Sequence, residues 1–205
     1  VYTPAARSAA GGTTPMLSLI NDAINQTNST YANSQISQRL RLVHAAEVSY
    51  SEIGLDDRED NDLTRLRITN DGYMDVVHTW RNTYGADEVA LIVEYAWNYP
   101  YCGMAYLMST LSTGFEAYAF AAIERECATG NLSFAHELGH NMGAHHDWYA
   151  VEKYNQGTGL YSYSYGYVNT TLRWRTIMAY NTACDDLGLY CRRIPYWSNP
   201  SAYYE

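Results

Sequence analysis

A single lysine, Lys153, stands among 13 basic residues set against 22 acidic ones, which leaves a net charge of −9. Binding nucleic acid through its phosphates needs clustered lysine and arginine, so nucleic acid is excluded as the expected partner. The chain also lacks any run of ~18 apolar residues that could cross a bilayer, and no membrane partner is expected. Cys102, Cys127, Cys184 and Cys191 form no CxxC pair, which removes the thiolate zinc site and the dithiol redox motif. Two disulfides in an oxidising compartment are expected instead, with four buried free thiols as the lesser reading. Their spacing alone permits three connectivities. The start at Val1-Tyr2-Thr3-Pro4 has neither a basic n-region nor an apolar core, so it reads as the start of a mature form. There is no internal repeat.

What is present suffices for one core. With 205 residues, 47% hydrophobic and 17% charged, the chain has the size and composition of a single globular domain. From Thr13 to about Tyr31, Thr14-Pro15 precedes Met16, Leu17, Ile20 and Ile24 at helical spacing and predicts a helix. From Ser37 to Val48, Leu40, Leu42 and Val43 among polar residues predict a strand. The charged stretch 56–62 (DDREDND) reads as a solvated loop. It lacks the central glycine of an EF-hand loop, so calcium there is not favoured. Gly72 to Tyr84 predicts a second helix, and the continuous apolar run from Glu88 to Tyr95 a buried central strand. Gly103 to Met108 and Ala117 to Glu124 are two further strand candidates, ahead of a helix starting near Asn131. Near residue 147 the composition turns to glycine, tyrosine and serine, which marks an upper lobe, about 1–147, from a smaller irregular lobe, about 148–205. The tyrosines from Tyr149 to Tyr167, part of a load of 21, read as a loop packed by its own rings.

The sharpest signal is His136-Glu137-Leu138-Gly139-His140-Asn141-Met142-Gly143-Ala144-His145-His146, which fits HExxHxxGxxH. Histidines four apart on a helix share a face, so two imidazoles can grip one metal while Glu137, one position round, reaches a water on it. A third ligand at His146 requires the chain to turn sharply, and Gly143 is the residue that permits it. Three neutral imidazoles leave a fourth tetrahedral position open, the catalytic form of a zinc site. Five fixed identities at this spacing arise by chance on the order of once in ten million positions. His145, beside the third ligand, reads as an exposed neighbour.

With this motif and the turn Thr176-Ile177-Met178-Ala179-Tyr180, 32 residues beyond His146, the chain resembles the metzincin clan of zinc metalloproteases. Asp147 resembles the adamalysin or reprolysin branch, and Tyr180 the astacin and serralysin branches. The fuller likeness is to bacterial peptidyl-Asp metalloendopeptidases, a reprolysin-like family. It runs through Val1 to Arg7, Asn131 to Gly143, Arg175 to Asn181 and Arg193 to Pro200, and so spans nearly the whole chain.

The resemblance implies an α/β fold with a twisted, mostly parallel five-stranded sheet, an active-site helix and a smaller irregular C-terminal lobe, in one catalytic domain. It implies zinc on His136, His140 and His146, Glu137 as general acid and base, Met178 as a floor beneath the ligands, and Tyr180 as a further ligand or hydrogen-bond donor. It implies pairs Cys102–Cys127 and Cys184–Cys191, and a secreted, monomeric enzyme with a pro-segment upstream. Protein or peptide substrates would bind extended along the Gly103, Met104, Ala105 edge. Cleavage before aspartate needs a local cation, with Arg192 and Arg193 first, then Arg173 and Arg175, and Lys153 last. The rivals are a zinc-holding binding or adhesion module without catalysis and a zinc hydrolase of non-peptide amides.

Overall fold

The computed structural model describes residues 1–56, 58–94, 101–202 and 204. Two helices open the chain, α1 (Pro4–Ala9) and α2 (Thr13–Asn33), followed by α3 (Asp62–Arg67) and α4 (Val76–Tyr84). Next come β1 (Val89–Val93), β2 (Gly103–Ala105), a 3-10 turn (Thr113–Tyr118) and β3 (Phe120–Glu124). The motif lies on α5 (Ser133–Asn141), beyond which are α6 (Trp148–Tyr154), β4 (Val168–Asn169), β5 (Trp174–Arg175), α7 (Thr182–Asp185) and β6 (Arg192–Arg193). The expected strand end at Tyr95 lies outside the described residues, as does Asp57 in the charged loop.

β3 is central in the first sheet, parallel to β1 and antiparallel to β2. Its side chains alternate between two cores, as a period of two requires. Ala121 and Ile123 join Ile92 against Met16 and Ile20 of α2 and Phe134 and Leu138 of α5. Phe120 and Ala122 join Leu91 and Val93 against Leu55, Leu63, Leu66 and Val77 on the other side. The continuous apolar run of β1 is thus explained by burial on both faces. A second sheet is ordered β4-β5-β6, and a third cluster packs Ile177, Met178 and Trp197 against Ala135 of α5 and Tyr31 of α2.

The fold is mixed α/β, but two three-stranded sheets stand where one five-stranded sheet was expected. The first continues only as isolated parallel bridges, from Ile92 to Tyr2 and from Tyr2 to Glu47. The strand expected from Ser37 to Val48 does not form. Asn28 of α2 donates to the Leu40 carbonyl at 3.0 Å and accepts from its amide at 2.7 Å, so a helix side chain takes the backbone groups that a neighbouring strand would have paired.

Three carboxylates of the charged stretch have local partners. Asp56 pairs with Arg58, and Asp60 with Arg65. Buried Asp62 accepts from the Tyr50 hydroxyl at 2.6 Å and the Ile53 amide at 2.8 Å. Asn61 caps α3 through the Thr64 amide.

Candidate metal centre and active site

Every residue of α5 is buried, and its ends are fixed by distant chain. Its first amides have no partner within the helix. Ser133 and Phe134 donate theirs to the carbonyls of Cys127 and Ala128. A disulfide joins Cys127 to Cys102, just before β2, and a second joins Cys184 to Cys191. At the other end Gly143 takes φ +89°, where a Cβ would also lie 2.6 Å from Leu160. The helix therefore stops there, and His145 bridges to Tyr165.

The three expected ligands converge. Nε2 of His146 lies 3.2 Å from Nε2 of His136 and 3.1 Å from Nε2 of His140. Each Nδ1 faces an oxygen: Ile177 O at 2.9 Å for His136, Ala144 O at 2.9 Å for His140, and Gln156 Oε1 at 2.7 Å for His146. The oxygens hold the proton on each Nδ1 and leave the Nε2 lone pairs turned on one another. Burial keeps all three imidazoles far below the usual histidine range, His140 at about 3 and His146 at about 4, with charge repulsion between neighbouring rings adding to it. Three buried neutral donors at this spacing repel unless a cation is shared. The separations are near the ~3.3 Å edge of a tetrahedron with bonds of ~2.0–2.1 Å, and an all-imidazole set suits zinc.

Glu137 is buried beside them and lines the same cavity of about 220 Å³ as the three histidines, Gly103, Met104, Ala105, Gln156 and Tyr180. Burial pushes its carboxyl up to about 8, and the Arg193 charge draws it down. β2 runs close against it, since a Cβ on Gly103 would sit 2.6 Å from Glu137 Cγ. The larger hollow, about 510 Å³, lies elsewhere, around Leu40, His44, Trp80 and Glu88, and holds none of these groups.

Met178 lies under α5, with its sulfur 2.7 Å from where a Cβ on Gly139 would be. Tyr180 follows, its ring 3.9 Å from that of His146 and its amide donating to Asp147 Oδ2 at 2.9 Å. Burial raises its hydroxyl pKa, with Glu137 adding to the effect. Asp147 uses its other oxygen on the Ala150 amide, so one carboxylate caps α6 and holds the methionine turn.

The five basic candidates separate. Arg192 is exposed and donates to the Tyr204 hydroxyl, so the structure does not bring it to the site. Arg175 is buried with Nε on Cys191 O and Nη1 on Ala179 O, which commits it to holding the turn. Arg173 is exposed, and Lys153 is paired with Asp186 at 2.6 Å. Arg193 is half-buried, has no ion pair among the described residues, and its charge acts on His136 and Glu137.

Two residues of the site escaped the sequence. Gln156 orients His146, and its only signal is Asn155 before it, a left-handed cap at the end of α6. His145, expected to be exposed, is 3% exposed. It accepts from the His146 amide at 2.8 Å and faces Gln156 O at 3.3 Å, buried there by stacking on Tyr165.

Residues 2–201 match the M12B reprolysin-like metallopeptidase family. A peptidyl-Asp metalloendopeptidase of Stenotrophomonas maltophilia strain K279a is 42% identical over 208 residues, covering 100% of this chain and 45% of the relative. One from Xanthomonas campestris pv. campestris is 42% identical over 205 residues, covering 100% of this chain and 44% of the relative. One from Pseudomonas fragi is 31% identical over 181 residues, 88% of this chain and 86% of the relative. The chain thus spans less than half the length of the first two. A solved structure described as a chaperone-substrate complex shares the fold, with a TM-score of 0.64 at 22% identity, over 99% of this chain and 32% of that one.

Proposed function

The chain belongs to the M12B reprolysin-like metallopeptidase family, and on that premise we propose that it is the catalytic domain of a zinc-dependent metalloendopeptidase that cleaves proteins on the N-terminal side of aspartate. The observation that carries this reading is the convergence of three Nε2 atoms beside a buried carboxylate in one cavity.

His136, His140 and His146 would hold the metal. When bound, zinc supplies Lewis-acid activation of water and of the scissile carbonyl. Glu137, lining the same cavity as the three histidines, takes the proton from the attacking water and hands it to the leaving amine. Tyr180, whose ring lies 3.9 Å from that of His146 and which lines the same cavity, would donate to the oxygen that gains charge during attack. The substrate backbone pairs in extended form along β2, whose Gly103, Met104 and Ala105 face the cavity.

The domain is a single unit, with α1 to α5 and the first sheet above the cleft and the chain from about residue 148 below it. The isolated parallel bridges at Tyr2 and Glu47, beside β1, β3 and β2, are compatible with a larger family sheet of which only three strands are regular here. Two disulfides fit a secreted, monomeric enzyme made with a pro-segment. A digest of a mixed protein substrate, read by mass spectrometry with and without chelator, tests the reading. Chelator-sensitive cleavage before aspartate is expected. Zinc binding with no cleavage of any protein would favour a binding module instead.

A further inference from the structure

We propose that Arg193 is the residue that selects the acidic side chain, gripping its carboxylate through the Nε–Nη2 edge of the guanidinium. The inference rests on the metalloendopeptidase reading and goes one step beyond it, from a substrate class to the group that reads it.

A chain of net charge −9 repels an acidic side chain unless a cation stands within the pocket, inside the ~8–10 Å over which salt leaves charges unscreened. Of the five candidates from the sequence, four are spent or face away: Arg192 on Tyr204, Arg175 on two carbonyls, Lys153 on Asp186, and Arg173 at the surface. Arg193 differs from all of them. Its Nη1 is bonded just ahead of α5, the helix that carries His136, Glu137 and His140, and its charge acts on His136, Glu137, His146 and Tyr180.

Its own bonding is half complete. Nη1 donates to the Asn131 carbonyl at 2.7 Å, which pins the guanidinium against the start of α5. Nε is buried with no acceptor, and no carboxylate among the described residues pairs with the group. A buried donor left unpaired costs ~1–3 kcal/mol, so a site that keeps one either stores that cost or recovers it from a ligand. Side-on contact of Nε and Nη2 with both oxygens of a carboxylate is the arrangement that recovers it. The backbone carries the residue there rigidly. β6 runs parallel to β5, with Arg193 opposite Arg175, and the next amide, Ile194, donates to Arg175 O at 2.8 Å.

Two peptides that differ only in aspartate or asparagine after the scissile bond separate charge reading from shape. The wild type is expected to favour aspartate in kcat/KM. Arg193→Met, which keeps the stem and loses the charge, should lower the Asp-to-Asn ratio ~10²-fold or more, and Arg193→Lys should recover part of it. Equilibrium binding of the aspartate peptide to zinc-loaded Glu137→Ala protein should weaken likewise when Arg193→Met is added. A variant that keeps the wild-type ratio overturns the assignment, as does an equal loss on both peptides, because a clip on Asn131 alone would act on both. A wild type that cleaves the two peptides equally overturns the role of Arg193 but leaves the endopeptidase reading standing. A wild type that cleaves nothing sinks that reading itself.

Discussion

Gln156 holds His146 from behind: its Oε1 lies 2.7 Å from the imidazole Nδ1, while its own carbonyl faces His145 Nε2 at 3.3 Å and its amide donates to Val151 O at 3.0 Å. The third ligand, on a turn and not on the helix, thus gains a fixed ring orientation from the end of α6. Partners of this kind are commonly worth ~10–100-fold in metal affinity. Gln156→Ala should weaken zinc binding by that factor in competition against a calibrated chelator, with the helical content unchanged. An unaltered zinc affinity would mean that burial alone orients His146.

Glu137→Ala should retain zinc and the folded state and lose ~10²–10⁴ in kcat, the range for a positioned acid and base group. Metal content by atomic absorption and turnover on casein decide it together. Near-normal turnover with full metal would remove Glu137 from the mechanism.

The motif was legible because its spacing is itself geometry: i and i+4 on one helix, then a glycine that must turn. Met178 and the two disulfides were expected from family likeness, and the structure places them accordingly. Arg192 and Arg193 could not be told apart in sequence. Neighbours on a strand face opposite ways, and only the pairing of β6 with β5 decides which one points inward. The Ser37 to Val48 run has strand-like alternation, yet Asn28, twelve residues before Leu40, takes its backbone. His145 looked exposed because the ring that buries it, Tyr165, is brought in by a bridge between distant loops.

Glu88 gives the stability a pH dependence. Burial raises its carboxyl to about 7, with Asp87 adding, and its Oε2 has no partner. An acid whose folded pKa exceeds its unfolded value binds more protons when folded, so the contribution of Glu88 to stability is greatest below ~4.5 and falls as pH rises toward ~7, by up to ~3 kcal/mol. Above that pH the loss is complete and constant. Glu88→Gln should therefore gain on the wild type progressively between about pH 5 and about pH 7, and hold that gain at higher pH, in thermal unfolding of zinc-saturated protein. A mutant-minus-wild-type difference that is flat over this range would show that Glu88 titrates normally.

Gly139 sits between His136 and His140, the two histidines of α5 proposed to hold zinc, where two effects of opposite sign compete. Alanine in a helix interior normally stabilises by ~0.5–1 kcal/mol relative to glycine. Here the added Cβ would lie 2.7 Å from Met178 Sδ and 2.8 Å from the Trp197 ring. Trp197 cannot retreat cheaply, because its indole N–H donates to Thr30 Oγ1 at 2.8 Å and its ring stacks on Tyr31 at 5.3 Å. Forcing a methyl into such packing costs ~1–3 kcal/mol, which exceeds the propensity gain. The net loss should lower Tm by a few degrees, at ~2–4 °C per kcal/mol for a domain of this size. Zinc affinity should fall with it, since His136 and His140 ride on the same turn of helix that Met178 supports. Gly139→Ala with an unchanged or higher Tm would mean that Met178 and Trp197 yield freely, and that the methionine turn is no rigid floor for the metal site.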